Sequence, residues 1–514
     1  MSFSLIFLQA FTSIAILILL SLFWGYATSP LSLIPGPFFA KLTNLWRFLD
    51  TYNGRTELTQ QRLHEQYGAA VRIGPNVVSL DDPSLIRTIY STKSEFLKSD
   101  FYTVNDTKVG SALIKTVFGI QSNDAHSKLL RPIAKFYKMS SLLAYEPLVN
   151  DTIKAFCQRL DSEFIDGTNA GKVCKIDEWL LFCAWDVIGQ LTFSKPMGFL
   201  EKAGDDSGLL VTAEKALDYF ATIGQMPFLD GWLAKNPVRP IGPPSFDSQA
   251  VFCAQQSIAR QQSATGDRKE GQQQDMLDGF LEIKKTNPEL IDDNGVVSAL
   301  LVNILAGSDT TAILLRAIIY YVLKNPAVYR KLQKELDSAK LALPVSYEDS
   351  SKVQYLDAVI KEARRLHPGV GLLLERVVPA TGLTLSDGTV IPPGTIVGMN
   401  PFVVHQNKTI YGQNSKSFNP GRWLRDIDNG ETEEEYQDRL AAMKAADLTF
   451  GAGKRICLGK NIAILETYKI IATLFLTYDM TLVDPAKEWH VQNSWFVRQS
   501  GIDVTIRRRV FKAS

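Results

Sequence analysis

A chain of 514 residues, 46% hydrophobic and 21% charged, is long and apolar enough to bury a large core. Its 55 Lys and Arg nearly cancel 54 Asp and Glu, leaving a formal charge of +1, so nothing in the balance favours nucleic acid or another polyanion as partner. The five cysteines (Cys157, Cys174, Cys183, Cys253 and Cys457) are odd in number, scattered and without a CxxC pair, which argues against a disulfide framework and against structural zinc.

The first element is apolar from Phe3 to Ala27, and no charged side chain precedes Lys41. About 20 such residues cross a bilayer as a helix. Trp24 and Tyr26 sit at one end, where interfacial aromatics belong. A cleaved signal peptide would have a basic start and a shorter apolar run, so an uncleaved anchor is predicted over residues 1–28. Lys41 and Arg47 follow it, which places the bulk of the chain on the cytosolic side. Ile34-Pro35-Gly36-Pro37 cannot continue a helix and marks a proline-rich hinge over 29–40. One large domain is expected from 41 to 514.

Within it a helix is predicted at Gly54–Tyr67 and a hairpin at Val71–Leu80, whose Gly-Pro-Asn lies between β-branched residues. Helical spacing follows at Leu148–Phe164, Ile176–Leu191 and Ala213–Ala221. Gly224–Ser248 reads as a long proline-rich loop, and Gly266–Asp275 as an exposed polar stretch. The longest helical signal runs from about Gly295 to Leu323. Asp292 or Asp293 is its N-cap and Asn325-Pro326 its stop. It is apolar nearly all round, so it is read as a buried central helix; Asp309 and Arg316 would each be costly in lipid. Short strands follow, with a hairpin about Ser386-Asp387-Gly388. Glu431–Lys444 is a charged helical excursion, and the chain closes in strands from Met480 to Arg507.

Three motifs carry chemistry. In Phe450-Gly-Ala-Gly453-Lys-Arg455-Ile-Cys457-Leu-Gly459 the cysteine precedes the amphipathic run LGKNIAILETYKIIATLFL, so it stands at a helix N-terminus, where N–H groups and the dipole favour a thiolate. Gly453 and Gly459 let the backbone approach a large flat cofactor. Arg455 suits a carboxylate of that cofactor, and Phe450 can cover the sulfur. A thiolate opposite an open iron site favours O–O cleavage. In Ala306-Gly-Ser-Asp309-Thr310-Thr311 a glycine and an acid interrupt the buried helix. The residues fit a space for dioxygen and a proton relay through Asp309 and Thr310, or a packing glycine with a capped polar patch. Glu362-Ala-Arg-Arg365 shares one helix face, and Arg422 of Phe418-Asn-Pro-Gly-Arg422-Trp423 can complete a buried Glu–Arg–Arg network.

These motifs, in this order and across essentially the whole chain, resemble the cytochrome P450 family. The resemblance implies a mainly α fold with minor β: a single large domain of that type with a central buried helix, preceded by an N-terminal transmembrane helix. It implies haem b with Cys457 as axial iron ligand, Asp309 and Thr310 as proton-delivery pair, Glu362, Arg365 and Arg422 as a structural triad, and Arg455 and Arg376 at the haem propionates. Members often carry Trp or His followed four residues later by Arg, both at the propionates. Here His126 is followed by Leu130, with Arg131 one residue later, so His126 keeps that expectation and Arg131 holds a weaker one. The stretches between motifs resemble filamentous-fungal members, notably the group similar to pisatin demethylase.

The function so implied is insertion of one oxygen atom from dioxygen into a mostly apolar small molecule, as a tailoring step in fungal secondary metabolism. NADPH serves indirectly, through a membrane-bound cytochrome P450 reductase, with cytochrome b5 as a second partner; Lys454 and Lys460 are docking candidates. The location implied is the endoplasmic reticulum membrane, single-pass, with the domain facing the cytosol. Substrate contacts are expected from Phe118, Phe228, Leu301, Leu372, Trp495 and Phe496. Two rivals are a reductase-independent haem-thiolate isomerase or dehydratase, which the intact Asp309-Thr310 pair disfavours, and a non-catalytic haem protein, which the complete cysteine motif disfavours.

Overall fold

The computed structural model describes residues 3–109, 112–242, 246–263 and 274–509. A helix spans Phe3–Ala27, and none of Leu8–Ala27 is buried. The hinge after it is pinned rather than free. Arg72 donates its backbone N–H to the Pro35 carbonyl at 2.7 Å, and its side chain bonds the Leu31 and Pro75 carbonyls. A Cβ on Gly36 would lie 2.1 Å from the Arg72 carbonyl oxygen, so this approach requires glycine.

The predicted central helix forms, from Asp293 to Lys324, and 72% of its most apolar stretch is buried, which makes it a core helix. Asp292 caps it, accepting from Gly295 N–H at 2.8 Å, and Asn325 ends it. It is not continuous. Ser308, at φ −87° and ψ −65°, divides it into Asp293–Gly307 and Asp309–Lys324. The hydroxyls of Ser308, Thr310 and Thr311 donate back to the carbonyls of Ile304, Ala306 and Gly307 at 2.7, 2.6 and 2.9 Å. Such back-bonding bends helices, and three within four residues place the bend at the polar motif. Arg316, buried in the second half, donates to the Asp177 carbonyl at 2.8 Å, which supports a charge inside the core.

Around this axis pack the helices Ile176–Phe193, Gln354–Leu366 and Lys460–Thr477. The β portion is peripheral. A four-stranded sheet orders Ala70–Gly74, Val77–Leu80, Ile396–Gly398 and Arg376–Val377, with the middle pair parallel and the outer pairs antiparallel. A three-stranded sheet orders Tyr478–Leu482, Asp503–Arg508 and Cys174–Lys175. The hairpin His490–Ser494/Phe496–Ser500 reaches into the core, its turn at Trp495 holding the left-handed φ of 73°.

Several expectations are corrected in detail. Most of the Gln-rich stretch, 266–273, lies outside the described residues, but its last residue, Asp275, is buried: its carboxylate caps the helix Met276–Thr286. The loop expected up to Ser248 ends earlier, because Asp247 opens the helix Asp247–Ser263. The charged excursion is the helix Glu433–Ala446, started by a Thr432/Glu435 capping box. It is not wholly solvated, since Leu440, Met443 and Ala446 are buried against the core.

Candidate active site

The loop between helices Glu433–Ala446 and Lys460–Thr477 carries Cys457. The Cys457 N–H donates to the Phe450 carbonyl at 2.8 Å and closes the loop on itself. Gly451 and Gly453 hold left-handed φ values of 66° and 62°, which other residues adopt only with strain. Gly453 serves a different purpose from the one expected. A Cβ there would lie 1.5 Å from the Tyr90 carbonyl oxygen, so this glycine admits the Tyr90–Ser91 backbone, while Gly451 and Gly459 face the cavity.

That cavity, about 470 Å³, lies between the cysteine loop and the bend of the central helix. Cys457 opens into it from one side, Ala306 and Thr310 from the other. Burial pushes the thiol up; the N–H groups of Gly459 and Lys460 and the Lys460 charge pull it back. These are the helix-start groups the sequence implied. Phe450 lines the same wall, with the Lys460 ammonium 5.8 Å and the Arg364 guanidinium 5.9 Å from its ring centre.

At one edge of the cavity four basic side chains converge: Lys98, His126, Arg376 and Arg455. Burial lowers Lys98, and the neighbouring Arg376 and Arg455 charges lower it further. His126 is pushed down to about 4 by burial and then by Arg455, Lys98 and Arg376. Arg455 donates to the carbonyls of Ile120 and Gln121 and to Asn123 Oδ1, and Arg376 to the Glu375 carbonyl. The nearby Glu375 carboxylate is engaged elsewhere, by Arg47 and by Ser99 at 2.5 Å. Among the described residues no carboxylate forms an ion pair with Lys98, Arg376 or Arg455. Leu130 lines the cavity, whereas Arg131 is exposed, so it does not join the cluster.

Thr310 reaches the cavity; Asp309 does not. The Asp309 carboxylate lies behind the helix, accepting from Trp185 Nε1–H at 2.9 Å. Burial raises it; the Trp185 donor and the charges of Arg498 and Arg316 act in the opposite direction. A Cβ on Gly307 would lie 2.9 Å from Ile188 Cδ1, so a larger residue there would have to push the Ile188 side chain aside. The wall beside Thr310 is apolar and aromatic: Phe118, Phe220, Leu301, Trp495 and Phe496. Trp495 is the hub, with ring centres of Phe101, Tyr102, Phe118 and Phe220 between 5.4 and 5.8 Å away. Two expected wall residues are elsewhere. Phe228 is 57% exposed beside Trp232, and Leu372 is buried outside this cavity.

The Glu–Arg–Arg residues meet. Glu362, 0% exposed, accepts from Arg365 at 2.8 and 2.9 Å, from Arg422 at 3.3 Å, from Trp423 Nε1–H at 2.9 Å and from Asn419 N–H at 3.0 Å. His405, which no motif marked, extends this network to the cysteine loop. Its Nδ1 bonds the Arg365 carbonyl at 3.1 Å and its Nε2 accepts from Leu448 N–H at 2.9 Å. Burial lowers it to about 4, so the neutral ring these bonds need is kept.

Among the described residues no cluster of His, Cys, Asp and Glu holds a metal directly. The donor set instead suits an iron already carried by a macrocycle: one thiolate for an axial position, cations without carboxylate partners for two acidic substituents, and apolar walls. These residues fit haem. A mainly helical domain with this cavity defines a haem-thiolate protein. The chain belongs to the cytochrome P450 family, whose profile matches residues 35–505. It is 41% identical to the cytochrome P450 monooxygenase cfoH of Aspergillus candidus, over 97% of this chain and 93% of that protein. It is 38% identical to cicH of Emericella nidulans, over 93% and 94%, and 36% identical to asR2 of Sarocladium schorii, over 99% and 97%; both are likewise named cytochrome P450 monooxygenases. The chain is a haem-dependent monooxygenase, an oxidoreductase; the isomerase reading is not favoured.

Proposed function

We propose that this monooxygenase oxidises a mostly apolar small molecule in a fungal secondary-metabolite pathway, at the endoplasmic reticulum membrane and with electrons from an NADPH-dependent reductase, cytochrome b5 being a second donor. The observation that carries the substrate class is the wall of the cavity, where Phe118, Phe220, Leu301, Trp495 and Phe496 surround the space beside Thr310. The unburied helix Leu8–Ala27 supports the anchor and the hinge at 29–40 the turn out of the bilayer.

When bound, haem activates dioxygen, one atom entering the substrate and the other leaving as water. The chain's part is to hold, to dry and to protonate. Cys457 would supply the thiolate to the haem iron, and Arg455, Arg376 and His126 would hold its propionates. The aromatic wall around Trp495 excludes water and orients the substrate. Thr310 Oγ1 is the last proton carrier before the cavity, and Asp309, kept protonatable by burial, is its supply. Because Asp309 rests on Trp185, its carboxyl must leave that bond to reach the Thr310 side.

The reading is tested in microsomes with reductase and NADPH, using as substrate the compound that accumulates in a strain lacking this protein. One ¹⁸O atom per turnover from ¹⁸O₂ is expected in the product, and the protein should stay in carbonate-washed membranes. Turnover without NADPH, or a soluble protein, would contradict it. A second expectation concerns the relay. Thr310→Ala should leave substrate binding intact, yet lower product per NADPH several-fold as hydrogen peroxide rises. Trp185→Phe keeps the ring and removes a donor to the charged form of Asp309, so its carboxyl rises further. The pH profile of coupling should then move upward, while an unmoved profile would disconnect Asp309 from the proton path.

A further inference from the structure

The basic cluster at the cavity edge contains one residue that no motif assigns. Lys98 lies on the chain between Phe96 and the turn Asp100–Asn105, far in sequence from the cysteine loop, and is 7% exposed. Burying a lysine without a carboxylate is costly. Its ammonium has three N–H donors, of which one goes to the Phe118 carbonyl at 2.6 Å. The rings of Tyr102 and Phe118 lie 4.1 and 4.3 Å from the nitrogen and supply further cation stabilisation. The remaining donors have no protein acceptor among the described residues, and the side chain lines the cavity together with Arg376, Arg455 and His126.

Three basic side chains packed without a counter-ion disfavour one another's charge. Arg376 and Arg455 both act against the charge on Lys98, and an anion in the cavity would offset that repulsion by favouring the charged form of each. Position 130, where an arginine is missing from the sequence pattern around His126, is occupied by Leu130, which lines the same cavity.

We propose that Lys98 is a haem-propionate ligand of this chain, supplying from the Phe96–Asp100 segment the positive charge that position 130 lacks. By the same bond to Phe118, Lys98 ties a substrate-wall segment to the cofactor edge. The proposal rests on haem filling this cavity, which the carbon monoxide difference spectrum of the wild-type protein establishes separately.

The test uses the full-length holoprotein with two readouts that need no substrate: the rate of haem transfer to excess apomyoglobin, and the ferric/ferrous midpoint potential. Lys98→Met is expected to speed haem loss about tenfold, the loss of roughly one charge-assisted hydrogen bond, and to lower the potential, because a cation beside the haem favours the reduced state. Lys98→Arg should restore both. Unchanged haem loss in Lys98→Met would overturn the proposal. So would faster loss at an unchanged potential, the result expected if Lys98 served only to hold the Phe118 carbonyl. Should Lys98→Met fail to load haem, Lys98→Arg and the double variant Lys98→Met/Leu130→Arg return the charge by two routes. Loading in either supports the assignment, and failure of both overturns it.

Discussion

Cys457→Ser is expected to abolish monooxygenase activity and the thiolate-type red-shifted band of the reduced, carbon monoxide-bound protein. The reason lies in what the loop is built to hold. The Gly459 and Lys460 N–H groups and the Lys460 charge act against burial to favour sulfur in its anionic form. An alcohol in the same place stays neutral at any working pH, because no set of two N–H donors overcomes its much higher intrinsic pKa. Electron donation to the metal therefore disappears while the geometry of the loop persists. The loop is closed by the Cys457 backbone N–H to Phe450, which serine retains, and by the φ of Gly451 and Gly453, which the substitution does not touch. Far-ultraviolet circular dichroism should be unchanged. A Cys457→Ser protein that kept the red-shifted band would assign the thiolate to another sulfur. Cys174, Cys183 and Cys253 are buried away from the cavity, and burial raises each thiol, so none is a ready substitute.

The contrast between Cys457 and its surroundings shows what a sequence can and cannot carry. Local constraints were legible. The capped, proline-stopped central helix, the hairpins at Val77 and Gly388, and the Glu362–Arg365 pair follow from neighbours a few residues apart. Roles that depend on distant segments were not. Gly453 reads as a cofactor-facing glycine until Tyr90, far away in the chain, is seen against it. Phe228 has the composition of a pocket residue and points outward. Lys98, Trp185 and His405 carry no motif, because each acts through bonds to residues distant in the chain: Phe118 for Lys98, Asp309 for Trp185, and Arg365 with Leu448 for His405. The bend at Ser308 lies between these cases. Three hydroxyl residues within four positions of a buried helix are a visible signal for back-bonding, although the helical periodicity on both sides conceals it.

Glu362→Ala is expected to prevent accumulation of folded, haem-loaded protein. Five donors converge on this carboxylate, from Arg365, Arg422, Trp423 and the Asn419 backbone. Removing it leaves two arginines facing each other without an anion. Breaking a buried pair from one side costs about 3–5 kcal/mol, a large share of the roughly 5–15 kcal/mol that holds a domain together. The loss would not stay local. Arg365 also donates to the carbonyls of His405 and Ser415 at 2.7 and 2.6 Å, and His405 in turn accepts from Leu448 at the start of the cysteine loop. Arg364, on the same helix, pairs with Asp447 one residue earlier at 2.8 Å. The helix Gln354–Leu366 thus sets the height of the loop that presents Cys457. Glu362→Gln separates charge from shape. Glutamine keeps one acceptor oxygen but turns an N–H₂ toward donors, so two arginines and an indole compete for half the acceptor sites. Haem content per protein and the urea midpoint are the measurements. Both should fall from wild type to Gln, and Ala should yield no haem-loaded protein on which to measure a midpoint. A Glu362→Gln protein with wild-type values would mean that hydrogen bonding to backbone carbonyls, rather than the central carboxylate, holds the arginines in place.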